Sequence, residues 1–188
     1  METLKEKFDP TLHQNKRFSD VNHDWFDLGN QQFFGCTFAN CQFRQCDLSY
    51  NDFIDCHFID CNIEIVDLSY TGFRNVLFEN SQIIGVDFSE CNKSLFTVQF
   101  SNCILDDSNF RGMNMKSTRF VNCSLKNVDF RNADLSASFF ENCDLNGAKF
   151  EDSGLLTRFN VEIRQTKSYN YSESILDLFM ASSSSRGF

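Results

Sequence analysis

A period of five residues runs through most of this 188-residue chain. Every fifth residue from Leu28 to Phe88 is large and apolar, and the same holds from Leu95 to Leu155. An α-helix cannot bury such a series, because successive members would lie about 140° apart around its axis. A straight strand cannot bury it either, since an odd step alternates between the two faces. The chain must therefore turn a corner about once every five residues and wind into stacked coils.

The residues between these large positions follow a consistent polarity. The residue two places before each large one is mostly small, and on an extended segment it shares the face of the large residue. The other three positions are mostly Asp, Asn, Arg, Ser, Gln or Lys. Two inward and three outward positions per unit predict a coil with a filled core and a polar surface.

Identical residues also recur at a spacing of twenty. Phe100, Phe120 and Phe140 form one such series, and the sequence DLSY occurs at both 47–50 and 67–70. This spacing indicates four five-residue units per coil, so that like residues stack on neighbouring coils and make close contact.

The period divides the chain into three parts. We expect residues 1–25 to cap the N-terminal end, residues 26–155 to form the coils, and residues 156–188 to form a C-terminal element. A slip of two residues at 89–95 predicts a bulge, which is either a tolerated insertion at a corner or a contact loop. In the last part, YSESILDLFM predicts a short helix at about 172–180, and the serine-rich end is expected to be disordered.

Four of the nine cysteines lie in CQFRQCDLSYNDFIDCHFIDC, residues 41–61, which suggests a metal or disulfide site. Zinc sites use C-x2-C pairs, whereas the spacing here is C-x4-C, which the period imposes. Eight cysteines occupy the small inward position, and Cys91 joins them if the first series is extended. The sequence therefore favours buried free thiols that act as small hydrophobic residues, with a metal or redox role as the alternative.

Candidate catalytic residues are few. Cys56 and His57 are adjacent, but the period directs Cys56 inward and His57 outward, so they cannot act as a dyad. His13 and His23 lie in the predicted cap, and the sequence suggests no catalytic partner for either. The chain contains no nucleophile elbow, phosphate-binding loop or dinucleotide motif, and a filled rod lacks a concave pocket. We therefore expect no enzymatic activity, no cofactor and no metal.

The net charge of −9, from 17 basic and 26 acidic residues, argues against direct binding to nucleic acid or to a membrane. The N-terminal segment carries charges throughout and does not resemble a secretory signal. No window approaches the roughly 18 apolar residues of a membrane span. We therefore expect a cytoplasmic protein, whose cysteines stay reduced.

Acidic residues are concentrated in residues 45–107, which contain eleven Asp or Glu against two Lys or Arg. The difference, 11 − 2, equals the whole net charge. Asp47, Asp67 and Asp87 are twenty residues apart, so we expect them to line one face. Such a column serves either solubility alone or the binding of a partner that normally grips a polyanion. The predicted acidic face consists of Asp47, Asp67, Asp87, Asp52, Asp55 and Asp60.

The repeating unit resembles that of the pentapeptide repeat family, A(D/N)LXX, in which the central Leu or Phe points inward. ADLSA at 133–137 and CDLSY at 46–50 are close matches, and the resemblance covers residues 26–155. It implies an all-β fold, a right-handed quadrilateral parallel β-helix with four units per coil, here followed by a short C-terminal helix.

Within this family the chain is most similar to the branch that includes the Qnr, MfpA and AlbG proteins. The shared features are the interruption of the period, NIEI at 62–65 followed by GVDF at 85–88, and a C-terminal element. The resemblance implies a rod-shaped dimer that mimics DNA, binds DNA gyrase or topoisomerase IV, and confers quinolone- or albicidin-type resistance. In this interpretation Ile175, Leu178 and Phe179 make the dimer contact.

Two functional hypotheses follow. The first is a non-enzymatic DNA mimic that binds a type II topoisomerase through the acidic face, limits its DNA binding or relieves drug-trapped cleavage complexes. The second is a structural β-helix that acts as a scaffold for another protein partner. Electrostatic mimicry predicts an affinity that falls steeply with ionic strength, whereas an apolar scaffold contact does not.

Overall fold

A computed structural model describes residues 12–24, 28–153 and 162–164. They form a parallel β-solenoid, the right-handed quadrilateral β-helix that the family resemblance implies. The strands are short because the chain turns a corner about every five residues. They are β1 (Leu12–Gln14), β2 (Arg17–Ser19), β3 (Asn22–Asp24), β4 (Gln32–Phe34), β5 (Thr37–Ala39), β6 (Gln42–Arg44), β7 (Asp52–Ile54), β8 (His57–Ile59), β9 (Asn62–Glu64), β10 (Gly72–Glu79), β11 (Gln82–Ile83), β12 (Phe96–Ser101), β13 (Arg119–Val121), β14 (Phe139–Glu141) and β15 (Glu162–Arg164).

Four faces surround the core, and each stacks segments that are twenty residues apart over most of its length. Face 1 holds β1, β4 and β7, face 2 holds β2, β5 and β8, and face 3 holds β3, β6, β9 and β11, all in parallel register. Face 4 consists of segments 46–49, 66–69 and 86–89 and their counterparts in later coils, joined by single parallel bridges such as Asp47–Asp67. The register confirms four units per coil.

The corners are residues with positive φ, which recur every fifth position through most of the described chain. Most of them are Asn or Asp, the non-glycine residues that best tolerate this left-handed conformation. Stacked corner amides also bond to one another, as where Asn122 Nδ2 donates to Asn102 Oδ1 at 3.0 Å. The polar residues at the outward positions therefore stabilise the stacking of the coils as well as form the polar surface.

The core consists of columns of stacked side chains, and the column on face 2 is made of phenylalanine throughout the described coils. Its neighbouring ring centroids lie 4.7–5.2 Å apart and the rings are nearly parallel. Such pairs contribute about 0.5–1.5 kcal/mol each beyond the apolar area they bury. The column comprises Phe18, Phe38, Phe58, Phe78, Phe100, Phe120 and Phe140.

The predicted slip of two residues is the sum of two local changes. Phe88 and Phe96 are eight residues apart, and the three extra residues form part of two short 3-10 helices, Phe88–Glu90 and Lys93–Leu95. From Phe96 to Phe100 the step is only four, because β12 runs straight with alternating buried and exposed residues. The register between β10 and β12 shifts opposite this stretch.

Leu95 is not the core residue that the five-residue series predicts. Phe96 is buried in its place and meets Phe73 edge to face, with ring centroids 6.0 Å apart. Leu95 is half-buried and lies over Gly72, where an added Cβ would approach the Leu95 Cβ to 3.3 Å. The straight strand moves the inward position by one residue. The sequence does not predict this shift, because Leu95 and Phe96 are adjacent and both are large and apolar.

Residues 12–24 belong to the solenoid and not to a separate cap. Strands β1, β2 and β3 pair in register with β4, β5 and β6 of the next coil. His13 is buried, and its ring stacks on that of Phe33 at 4.8 Å. The predicted boundary at residue 26 is therefore too late, because a histidine takes an inward position that the apolar series reserves for Leu or Phe.

Some predictions lie outside the described residues. These are the helix at 172–180, the last core position Leu155, and the dimer contact through Ile175, Leu178 and Phe179. Among the residues that are described, no helix is long and apolar enough to cross a membrane.

Candidate protein-binding face

The three aspartates predicted to form a column do so on face 4. Asp47 and Asp67 pair directly in adjacent coils, and Asp87 stands twenty residues further along the same face. In each, Oδ1 accepts the backbone N–H of the serine two residues later, at 2.8, 2.8 and 2.9 Å respectively. This local hydrogen bond is an Asx turn, and it fixes the position of each carboxylate.

The turns also influence ionisation. The Ser69 hydroxyl, and after it the Ser69 backbone N–H, lower the pKa of Asp67, since both stabilise the charged carboxylate. Asp67 and Asp87 are exposed and Asp47 is half-buried. The column therefore presents fixed negative charge to solvent.

The other three predicted residues do not lie on face 4. Asp52 is on face 1, where its Oδ1 would be 2.6 Å from a Cβ added to Gly72. Asp55 is a corner residue that accepts a hydrogen bond from Asn75 Nδ2 at 2.7 Å. Asp60 occupies the next corner. The structure thus brings Asp47, Asp67 and Asp87 together and spreads the other three over the next face and the two corners beyond.

The column changes character beyond Asp87. Its next members are Asn109, Asp129 and Lys149. Arg131 donates to Asp129 through Nε at 2.9 Å and lowers the pKa of that carboxyl. The continuous negative charge of face 4 is therefore confined to residues 46–90.

Three large residues at the edges of face 4 were not predicted as site residues. Tyr50, Ile65 and Tyr70 are corner residues with φ of 56°, 53° and 60°, and all three are exposed. The tyrosine rings stack on each other with centroids 5.1 Å apart. The period directs the Tyr of the repeated DLSY sequence outward, but it does not show that this residue is a left-handed corner or that the two rings stack.

The nine cysteines are part of the buried core of the described chain. All nine are free and buried, as the small inward position predicts. Burial raises the pKa of Cys56 to about 12 and that of Cys103 to about 11, so these thiols stay protonated. His57 contacts Glu79 at 3.0 Å on the surface, and no cluster of His, Cys, Asp and Glu among the described residues could hold a metal ion.

The sequence profile of the pentapeptide repeat region matches residues 31–94 and 93–168. The chain therefore belongs to the pentapeptide repeat family. A comparison of its sequence with curated proteins gave no significant match.

Several solved structures are similar in fold. HetL, a pentapeptide repeat protein involved in heterocyst differentiation regulation from the cyanobacterium Nostoc sp. strain PCC 7120, is 13% identical, with 83% of this chain and 84% of HetL covered and a TM-score of 0.48. Full-length QnrB1, a plasmid-mediated fluoroquinolone resistance protein, is 22% identical, with 90% and 99% covered and a TM-score of 0.30. Rfr23 from the cyanobacterium Cyanothece 51142 is 12% identical, with 88% and 92% covered and a TM-score of 0.25. At these identities the likeness concerns the fold alone.

Proposed function

We propose that this protein is a non-enzymatic, cytoplasmic DNA mimic that binds DNA gyrase or topoisomerase IV through face 4. Binding would modulate the enzyme or protect it from inhibitors of the quinolone or albicidin type. The observation that carries the proposal is the in-register column of Asp47, Asp67 and Asp87 on a rod whose net charge resides in residues 45–107. A topoisomerase surface that normally binds DNA phosphates would contact the carboxylates of face 4 instead.

The spacing of charge makes the mimicry partial. Adjacent coils place the carboxylates about 4.8 Å apart along the rod, whereas duplex DNA carries one charge per roughly 1.7 Å. Asp52, Asp55 and Asp60 add charge on face 1 and on the two corners beyond it, away from face 4. The proposal includes a homodimer formed by the C-terminal element, which would double the length of the rod but not its charge density.

The test is a titration of the purified protein into DNA supercoiling by gyrase and into drug-stabilised DNA cleavage, with and without a fluoroquinolone. The proposal predicts inhibition of supercoiling or rescue from the drug at low micromolar protein, on the order of the affinity expected of a standard transient interface. A protein with no effect on either reaction at tenfold higher concentration contradicts it.

A matched pair of variants assigns the effect to the column. Changing Asp47, Asp67 and Asp87 to Asn removes three charges and retains a side-chain oxygen for each Asx turn. The control changes Asp129, Asp134 and Asp144 to Asn, because their Oδ1 atoms accept the same turn bond at 3.0, 3.0 and 3.1 Å outside the acidic region. The first variant should lose the effect and the control should keep it.

The second candidate function is a scaffold that binds a different protein. The exposed Tyr50, Ile65 and Tyr70 beside the column favour it, because DNA-like electrostatics do not require apolar side chains. Ionic strength separates the two functions, since screening weakens a charge-based contact much more than an apolar one.

A further inference from the structure

Face 4 carries apolar side chains on both edges of its acidic column. Tyr50 and Tyr70 are 60% and 65% exposed on one edge, and Ile65 is 62% exposed on the other. Ile84, 42% exposed, lies one coil further along beside Gly85, the corner residue that follows Ile65 by twenty positions. Segments 46–49 and 66–69, with their aspartates, run between these edges.

These apolar residues stand where the backbone disfavours them. A β-branched or aromatic residue with φ near +55° is an outlier, because its side chain crowds the backbone in the left-handed conformation. Most other corners in the described chain have Asn, Asp or Gly. Residues held in such conformations cluster at ligand-binding sites, and here three of them frame a single face.

The charge of the same face is uniform. Segments 46–50, 66–70 and 86–90 contain three Asp and one Glu and no Lys or Arg. An apolar patch alone would accept many partners, but one divided by carboxylates requires a partner with cations in the middle and apolar groups at the sides.

We propose that face 4 binds a helix of a partner protein that presents a row of arginines along the rod axis. A helix rises about 1.5 Å per residue, so residues i, i+3 and i+7 lie at 0, about 4.5 and about 10.5 Å. Carboxylates on three successive coils lie at 0, about 4.8 and about 9.6 Å. An extended peptide, with like-facing residues about 6.8 Å apart, drifts by about 4 Å over the same row.

The residue types favour arginine over lysine. The planar guanidinium can bond a carboxylate and lie against an aromatic ring at the same time. The stacked Tyr50 and Tyr70 rings, 5.1 Å apart, border the column and offer such a surface. Apolar residues on the two flanks of the helix would cover the tyrosine edge and the Ile65 edge. This inference deepens the proposed function and rests on it for placing a protein partner on face 4.

The experiment uses a fluorescent, alanine-based helical peptide with Arg at i, i+3 and i+7 and Leu at the flanking positions, titrated with the full chain. We expect saturable binding, weaker by about tenfold for a peptide with the three arginines moved to separate helix faces. A peptide with Lys in place of Arg should bind with intermediate affinity. Absence of saturable binding, or equal affinity for the rearranged peptide, overturns the inference.

Corner variants distinguish binding from folding. Tyr50→Asn, Ile65→Asn and Tyr70→Asn together remove the apolar edges and install the commonest residue among the described corners. We expect an unchanged or higher melting temperature with about tenfold weaker peptide binding. Ser117→Asn with Ala137→Asn is the control, because these exposed corners, with φ of 61° and 58°, lie outside face 4. It should leave peptide binding unchanged, and a triple variant that binds as well as the unmodified protein overturns the inference.

The unmodified protein and the variant with Asn at positions 47, 67 and 87, each tested with both the peptide and gyrase, separate this inference from the proposed function. If the protein binds the peptide but has no effect on gyrase, the inference of an arginine-bearing helix stands and the proposal of a topoisomerase partner is wrong. An effect on gyrase that depends on the aspartates, with no peptide binding, would retain the DNA mimic and reject the helix.

Discussion

Two regions of the solenoid share a backbone and differ in their surfaces. Residues 45–107, the acidic segment, have eleven acidic and two basic residues, whereas residues 109–153, the neutral segment, have six of each. Both use coils of about twenty residues, left-handed corners and stacked cores. Large apolar corner residues occur in the acidic segment and are absent from the described corners of the neutral one.

The comparison shows which positions determine the coil. Phe58 and Phe120 are both buried and both stacked on the ring of the preceding coil, although the charges around them differ greatly. The inward positions set the geometry, so the outward positions can vary without changing the fold. The fold does not require charge and exposed apolar groups to be concentrated on one part of such a rod. This concentration is therefore the feature from which a binding surface is inferred.

The largest expected effect tests whether the two segments share one core. Phe58→Ala and Phe120→Ala each remove a ring that is at most 2% exposed from the face 2 column. Each should lower the free energy of unfolding by about 3–5 kcal/mol, from lost burial and the cavity left behind. Urea denaturation followed by circular dichroism measures the loss.

Hydrogen exchange then shows how far each loss extends. Coils contact only their neighbours, but an unbroken column should spread the loss of protection into both segments. If Phe120→Ala exposed only residues 109–153 to exchange, the two segments would be separate folding units. The interpretation that they share one core and differ only in their surfaces would then be wrong.

The next effect concerns a buried amide in the acidic segment. Asn51 is fully buried, its Oδ1 accepts the Gln31 N–H at 2.7 Å, and its Nδ2 has no partner among the described residues. Ser108, at the same small inward position of another unit, both accepts from Val86 N–H and donates to the Ile83 carbonyl. Asn51→Ser should therefore raise the free energy of unfolding by about 1 kcal/mol, because the hydroxyl satisfies both roles.

The reciprocal substitution in the neutral segment is the control. Ser138 Oγ donates to the Met115 carbonyl at 2.7 Å from a fully buried position. Ser138→Asn should lower the free energy of unfolding by about 1–3 kcal/mol, measured by the same urea transition. A destabilised Asn51→Ser variant would show that the amide contributes a bond that the hydroxyl cannot replace.

The sequence predicts the fold closely because one period carries most of it. Every fifth residue must be buried, and only a coil with corners achieves this. The period selects Leu95 instead of Phe96, because the correct choice depends on a register shift against β10 in the preceding coil. The period does not identify His13 as a core residue, because histidine is polar, although its ring stacks on that of Phe33.

The candidate site was predicted less completely for a similar reason. The spacing of twenty places Asp47, Asp67 and Asp87 together, since in-register coils require it. It also places Tyr50 and Tyr70 at outward positions, two residues after Leu48 and Leu68, but it does not show that these positions are left-handed corners or that the two rings stack. The corner rule, under which large residues at positive φ are unusual, would have marked them.

The smallest expected effect tests the surface difference itself. Like charges on adjacent coils, about 5 Å apart, repel by about 1 kcal/mol per pair in water, and salt screens this repulsion. Raising NaCl from about 0.05 to about 0.5 M should therefore stabilise the protein by about 0.5–1 kcal/mol. Urea transitions at the two salt concentrations measure this gain. Changing Asp47, Asp67 and Asp87 to Asn should remove most of the gain, whereas the same change at Asp129, Asp134 and Asp144 should retain it. An equal loss in both variants would mean that the column holds no concentrated repulsion, and that the contrast between the segments is one of total charge and not of its arrangement.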